Sequence, residues 1–97
     1  MAYRITDYTK SKARQLGVAV APSKVSGKKI DVFRGGKKVA SVGALGYPDY
    51  PTYLAMERSG KVPKGYAAAR RKNYKARHQA TRTKVGTPSY YADQLLW

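Results

Sequence analysis

The chain contains no cysteine and only one histidine, His78. The absence of thiols excludes disulfide bonds and thiolate metal sites, so cysteine chemistry says nothing about the redox compartment. One imidazole without nearby thiols or carboxylates is a poor basis for a metal centre. We therefore predict no metal and no other cofactor, and we interpret His78 as an ordinary surface residue.

Acidic residues are also scarce. The chain has five carboxylates: Asp7, Asp31, Asp49, Glu57 and Asp93. They are scattered, and a helix cap, a strand charge or a helix charge accounts for each of them, so no acid/base pair is suggested. The serines and threonines lack the sequence context of a nucleophile turn. The sequence therefore predicts a protein that is not an enzyme.

Long apolar runs are absent as well. The first ten residues, MAYRITDYTK, lack the apolar stretch of a signal peptide, and no segment approaches the ~20 apolar residues of a membrane span. We therefore predict no membrane span and no secretion by a signal peptide. Tyrosine occurs nine times against one Phe and one Trp, which predicts a core that is partly tyrosine.

Positive charge is what the sequence has in excess. Its 20 Lys and Arg oppose 5 Asp and Glu, which gives 97 residues a formal net charge of +15. Residues 1–45 carry 10 basic and 2 acidic groups, residues 46–65 carry 3 and 2, and residues 66–97 carry 7 and 1. The charge is therefore not confined to one tail. Such a balance favours nucleic acid as a partner over an acidic protein or an anionic membrane.

The densest positive charge lies in residues 66–84, YAAARRKNYKARHQATRTK, which contain no acid. Ala, Arg, Lys and Gln favour a helix, and Pro and Gly residues bound the segment on both sides. We predict one basic helix here, the longest in the protein. A solvated cationic face is the alternative, although like charges at i,i+4 repel. The residues predicted to bind nucleic acid are Arg70, Arg71, Lys72, Tyr74, Lys75, Arg77, Arg82 and Lys84.

A β-hairpin is the clearest local signal in the first half of the chain. Residues 28–33 and 37–42 are joined around Gly35 and Gly36, which permit the positive φ angles of a two-residue turn. The predicted cross-strand pairs are Arg34 with Lys37, Val32 with Val39, and Ile30 with Ser41. The hairpin residues predicted to extend the phosphate-binding surface are Lys28, Lys29, Lys37 and Lys38.

The flanking segments complete the predicted fold. Thr6 caps a helix over residues 7–16 that ends at Gly17, and residues 18–21 form a short strand. A further short helix is predicted over residues 51–58. We therefore predict an α+β fold in one small domain, residues 1–97, with a hairpin or a three-stranded sheet and three to four helices. Its parts are residues 1–45, the Tyr- and Pro-rich connector with its short helix at 46–65, and residues 66–97.

The connector carries Tyr47, Tyr50 and Tyr53 at three-residue spacing. One interpretation is an aromatic platform on which bases stack, an interaction worth about 1–3 kcal/mol per base. The other is that the tyrosines fill the space between the hairpin and the helices. We favour the second interpretation at this point.

The last ten residues are a second segment, after the hairpin, with clear local signals for its structure. Thr87 can cap and Pro88 can begin a short helix that runs through Asp93 to Trp97. Exposure of its apolar cluster would forgo several kcal/mol of burial, so we expect it to dock on its own domain or on a neighbouring molecule. The residues predicted for partner contact are Tyr90, Tyr91, Leu95, Leu96 and Trp97.

The blocks KGYAAARRKNYKARH and GTPSYYADQLLW, together with the upstream GYPDYPTY, resemble a family of small basic proteins encoded by large double-stranded DNA viruses. The resemblance covers roughly the second half of the chain and, loosely, the hairpin. It implies a viral origin and a location in the virion, or in the host nucleus or cytoplasm during infection. It implies no catalytic residues.

Two functional hypotheses follow. The first is a non-enzymatic nucleic-acid-binding protein, with DNA preferred over RNA. Its binding is expected to be largely independent of sequence, because zinc-finger spacing, helix-turn-helix signatures and ribonucleoprotein motifs are all absent. The second is a minor capsid or cement protein, whose basic surface meets acidic virion proteins and whose aromatic C-terminus anchors in a neighbour. The sequence leaves the oligomeric state open.

Overall fold

The computed structural model describes residues 3–97 and contains three strands and five helices in that range. The strands are β1 (Ala19–Pro22), β2 (Lys28–Arg34) and β3 (Lys37–Ala44). The helices are α1 (Asp7–Leu16), α2 (Tyr50–Arg58), α3 (Tyr66–Arg77), α4 (Gln79–Arg82) and α5 (Pro88–Leu96). The predicted α+β fold class is confirmed.

The strands form one antiparallel sheet in the order β1-β2-β3. Gly35 and Gly36 have φ angles of 59° and 81°, the positive values that a two-residue hairpin turn requires. Arg34 pairs with Lys37 as predicted. The open choice between a hairpin and a three-stranded sheet is settled in favour of three strands, because β1 pairs with β2.

The predicted register is wrong beyond the first pairs of the hairpin. A β-bulge between Val32 and Phe33 shifts the ladder, so that Val32 pairs with Ala40 and Ile30 pairs with Val42. These four side chains now share the buried face, whereas the predicted partner Val39 is 39% exposed. A bulge adds one residue to one strand, which is enough to bring a complete apolar set to one face of the sheet.

Helix α1 begins and ends as predicted. The Oγ1 atom of Thr6 accepts a hydrogen bond from the Thr9 backbone amide at 3.3 Å, and Gly17 ends the helix with a φ of 71°. Thr9 is fully buried and donates through Oγ1 to the Leu95 carbonyl oxygen at 2.8 Å. This contact joins α1 to α5 across 86 positions of sequence.

The main core lies between the sheet and the C-terminal helix. Ile30 and Val32 of β2 and Val42 of β3 pack with Leu95 and Leu96 of α5, each no more than 2% exposed. The C-terminal apolar cluster therefore docks on its own domain, one of the two arrangements expected. Tyrosine also contributes to the interior, as predicted, since three tyrosines are at most 9% exposed: Tyr53, Tyr74 and Tyr91.

One glycine of β3 allows this packing. Gly43 has a φ of +84°, and a Cβ atom built on it would lie 2.8 Å from Leu96 Cδ1 and 2.9 Å from Lys29 Cδ. Any larger residue would displace either a core leucine or the stem of a buried lysine.

The single basic helix predicted over residues 66–84 is divided in two. Helix α3 ends at Arg77, His78 adopts a φ of −105° and a ψ of 13°, and α4 adds four residues. Two contacts run from the end of this segment to Asp93 of α5: Lys75 Nζ lies 2.7 Å and an Arg82 nitrogen 3.6 Å from its carboxylate oxygens. Lys75 before the break and Arg82 after it therefore contact one buried carboxylate.

A second buried carboxylate joins the N-terminal segment to the sheet and to α2. Asp49 is 0% exposed; it accepts hydrogen bonds from the Tyr3 hydroxyl at 2.6 Å and from Lys29 Nζ at 3.0 Å. Its other oxygen accepts hydrogen bonds from the backbone amide and the hydroxyl of Thr52, so Asp49 is also the N-cap of α2. Burial, followed by the bond to Asp49, raises the pKa of Tyr3 well above its ordinary value, so its hydroxyl keeps the donated proton.

We expect Leu95→Ala to lower the free energy of unfolding by about 2–5 kcal/mol, because a fully buried side chain leaves a cavity. Val85→Ala is the matched control, since Val85 is 77% exposed and its truncation should change stability by no more than about 0.5 kcal/mol. Urea unfolding followed by circular dichroism measures both. Equal, small effects would contradict the packing described for α5.

We expect Asp49→Ala to destabilise the fold by about 3–5 kcal/mol, because it leaves the Lys29 ammonium buried without its counter-ion. Lys29→Met should cost less, since Asp49 keeps its bonds from Tyr3 and Thr52. The double variant should recover part of the loss, because it no longer buries an uncompensated charge. Thermal unfolding of the three variants tests this order, and a double variant less stable than Asp49→Ala would contradict it.

Candidate nucleic-acid interface

Helix α3 carries half of the residues predicted to bind nucleic acid, and a side chain of α2 caps its N-terminus. Gly65 occupies the N-cap position and has no side chain, so Glu57 of α2 supplies the cap from outside. Its carboxylate oxygens accept hydrogen bonds from the Gly65 and Ala67 backbone amides, each at 2.8 Å. These two bonds lower the pKa of Glu57, with Gly65 the larger cause. They also fix the direction in which α3 presents its side chains.

A cleft of about 420 Å³ lies between α3, the β2–β3 hairpin and the loop that precedes α2. Arg70, Asn73 and Arg77 line one side of it at i, i+3 and i+7 of α3. Lys28 of β2 and Tyr47 of the loop line other parts of the wall. The two basic regions predicted separately from the sequence, the hairpin and the helix, therefore meet in one concavity.

Stacked aromatic rings form an inner wall of the cleft. The Tyr74 and Trp97 rings are nearly parallel, with centroids 4.4 Å apart and planes at 5°. The His78 ring also packs against Tyr74, with a distance of 4.3 Å between the two ring centroids. Tyr53 lies beside Trp97 at 6.2 Å. Burial raises the pKa of Tyr74, so its hydroxyl stays neutral. The wall is thus rigid and apolar, with cations at its rim.

The electrostatic character of the cleft is uniformly positive. Lys28, Arg70 and Arg77 are all exposed and line it, and the lining includes no Asp or Glu side chain among the residues the structure describes. Arg70 lies over the edge of the aromatic wall, 5.7 Å from the Tyr53 centroid and 5.8 Å from that of Tyr66. Cationic groups held at an apolar, aromatic surface are suited to a ligand that is both anionic and aromatic.

Several predicted binding residues are exposed but lie outside the cleft. They are Lys37 and Lys38 at the hairpin turn, Lys72 on α3, and Lys84 after α4. Arg71 is half-buried, and its guanidinium lies 4.7 Å from the Tyr50 ring centroid, where it packs within the protein. These residues add positive charge around the cleft without lining it.

Four predicted nucleic-acid-binding residues have structural contacts that oppose the assignment. Lys29 is 5% exposed and its ammonium is bound to Asp49, so only its stem reaches the cleft. Tyr74 is 9% exposed and stacked between two rings, so it forms the wall and offers no open face. Lys75 and Arg82 are held by Asp93. In each case the side chain is bound to a partner within the protein, which the linear sequence does not reveal.

The predicted partner-contact residues of the C-terminus are corrected in the same way. Tyr91, Leu95 and Leu96 are at most 3% exposed and fill the core, so they are not available to another molecule in this fold. Tyr90 and Trp97 are half-buried and pack against that core, and Trp97 also lines the cleft.

Two cleft residues were missed by the sequence analysis. Asn73 was not among the residues predicted to bind nucleic acid, although its side chain is exposed in the cleft. Tyr47 was grouped with Tyr50 and Tyr53 as packing residues; the structure buries Tyr53, half-buries Tyr50 and leaves Tyr47 73% exposed. The position of Tyr47 between Gly46 and Pro48, two residues typical of turns, was the available signal.

Two further features are absent from residues 3–97. That range contains no group of three or more His, Cys, Asp or Glu side chains placed to hold a metal ion. Within the same range, no helix is long and apolar enough to cross a bilayer.

No family model, curated protein or solved structure matches this chain.

Because its folded pKa is lowered, Glu57 stabilises the fold above its ordinary pKa of 4.5, and this contribution is lost as the pH falls through the lowered value. We expect the melting temperature of Glu57→Gln to fall less between pH 7 and pH 3 than that of the parent protein, since glutamine does not titrate. Melting curves at a series of pH values measure the difference. Asp31, whose pKa is lowered by bonds from Ser23 and Ser41, is retained in both proteins and contributes equally. Parallel pH curves would contradict the capping role.

Proposed function

We propose that this protein is a non-enzymatic nucleic-acid-binding protein that contacts phosphates largely independently of sequence. The observation that carries the proposal is the convergence of Lys28 from β2 with Arg70 and Arg77 from α3 on one cleft whose described lining holds no Asp or Glu side chain. Each exposed cation can neutralise a phosphate and release a counter-ion.

The distribution of the acidic groups supports a polyanionic partner. Asp49 and Asp93 are buried in ion pairs, and Asp31 and Glu57 bind hydroxyls and backbone amides within the fold. By contrast, 15 of the 20 Lys and Arg are exposed; the other five are Lys12, Lys29, Arg71, Lys75 and Arg82. The surface is therefore more one-sided in charge than the composition, and it repels itself unless a polyanion compensates it.

Phosphate contact with little base reading is the mode that this surface supports. Lysines and arginines around the cleft come from a hairpin and one side of a helix, and no zinc-finger or helix-turn-helix motif presents a row of side chains to a groove. The resemblance to small basic proteins of large double-stranded DNA viruses favours DNA over RNA and a role with the viral genome or in the virion. These assignments are part of the proposal.

The alternative, a minor capsid or cement protein, requires the apolar C-terminal residues to contact a neighbouring protein, and most of them are buried. Tyr91, Leu95 and Leu96 fill the protein's own core, and the half-buried Tyr90 and Trp97 are what remains of the C-terminal cluster at the surface. The basic surface alone would then have to select acidic virion proteins. The nucleic-acid proposal uses both the charge and the aromatic wall.

We expect Arg70→Gln combined with Arg77→Gln to weaken binding to random duplex DNA at least tenfold and to make the slope of log K against log salt shallower by about 2, since each phosphate contact contributes about 0.9. Fluorescence anisotropy over a range of salt concentrations measures both quantities. Lys10→Gln with Arg14→Gln is the matched control, because these exposed residues of α1 carry the same charge and do not line the cleft.

Equal losses in the two variants would show that net charge alone matters and would contradict the cleft as the binding surface. Polyglutamate is the comparison ligand. If it binds as tightly as DNA at the same salt concentration, the result contradicts a nucleic-acid function and favours the capsid alternative.

A further inference from the structure

Tyr47 is the most unusual side chain of the cleft. Among the eleven Tyr, Phe and Trp side chains, all of which lie within residues 3–97, Tyr47 alone is exposed, at 73%. It lies in the turn that follows β3, where its backbone amide donates to the Ala44 carbonyl at 3.4 Å and Gly46 takes a φ of 90°. The fold therefore holds an aromatic ring at the mouth of a positive cleft without packing it against the core.

Across from this loop, α3 presents polar and cationic groups at the spacing of one helical face. Arg70 and Arg77 flank Asn73, whose exposed side-chain amide offers both a donor and an acceptor. Lys28 closes the side formed by the hairpin. One concavity thus combines a free ring for stacking, an amide for hydrogen bonding and three cations for phosphate.

The shape of the site selects among nucleic acids. Its volume of about 420 Å³ lies in the range of pockets for small molecules, about 300–1,000 Å³. A base can enter such a site only when it is unpaired and unstacked, whereas a duplex keeps its bases in the stack and offers only phosphates to the rim.

We propose that the cleft binds one unpaired nucleotide of a single-stranded nucleic acid, with its base against the Tyr47 ring and its phosphates among Lys28, Arg70 and Arg77. This inference rests on the proposed function and deepens it. Duplex DNA binds through the rim cations alone, and a single strand adds the stacking contact. The protein therefore binds single-stranded DNA more tightly than duplex DNA of equal length.

Tyr47→Ala tests the stacking contact directly. Because the side chain is 73% exposed, the variant should melt at the temperature of the parent protein. We expect its affinity for oligothymidylate to fall about tenfold or more, and its affinity for a duplex of equal length to stay unchanged. Tyr47→Phe should restore the affinity, since it keeps the ring, and Val85→Ala, at an exposed site outside the cleft, should change neither affinity.

An abasic strand of the same length separates stacking from charge. It carries the phosphates without the bases, so it should bind like the duplex and show no difference between the parent protein and Tyr47→Ala. Trp97 provides an independent readout, because it is the one tryptophan of the chain and lies in the cleft wall. Its emission should change on addition of oligothymidylate and stay constant on addition of the abasic strand.

Two results would overturn the inference while the proposed function stands: equal affinity for single-stranded and duplex DNA, or a Tyr47→Ala variant that binds oligothymidylate as the parent does. The loss of duplex binding in the Arg70/Arg77 variant would still support phosphate binding in either case. If the parent protein binds none of these nucleic acids, the proposed function fails, and the inference fails with it. If polyglutamate changes the emission of Trp97 in the same way as oligothymidylate, the cleft is a site for acidic peptides. That result would overturn the inference.

Discussion

The Asp49 carboxylate is the interaction on which the arrangement of the domain depends most. It receives the Tyr3 hydroxyl from the N-terminal segment, the Lys29 ammonium from β2 and two donors from Thr52 of α2, and it is fully buried. A buried carboxylate is tolerated only when such donors satisfy it, so each segment must reach the same point. Asp49 precedes α2, and α2 in turn supplies Glu57 to the N-terminus of α3. Helix α2 thus connects the buried charge to the helix that lines the cleft.

The same use of acidic groups explains the surface. Of the five carboxylates, two are buried in ion pairs and two form hydrogen bonds within the fold, so few acidic groups remain at the surface beside the exposed cations. The internal partners offset the cost of burying two of these charges, whereas the exposed cations repel one another. The internal ion pairs and the positive surface are therefore consequences of one distribution of charge.

Local signals in the sequence predicted the elements well, because caps and turns depend on residues within a few positions of one another. Thr6, Gly17 and Thr87 act as predicted, and Gly35 and Gly36 form the hairpin turn. The register of β3 was not predictable in this way, since the bulge at Val32 and Phe33 is selected by the packing of the sheet against α5. The break at His78 is not marked by Pro or Gly in the sequence, and Lys75 before it and Arg82 after it both contact Asp93 of α5.

The candidate site divides along the same line. Charge, composition and the helical spacing of Arg70 and Arg77 are properties of the sequence, and they were sufficient to predict a basic surface that includes both residues. Which lysines form internal ion pairs, and which tyrosine stays exposed, depends on residues far away in the sequence. Lys29 is paired with Asp49, 20 positions away, and Tyr47 lacks the packing that buries Tyr53. Burial and ion pairing are properties of the folded chain, because residues far apart in sequence compete for the same interior space and the same few carboxylates.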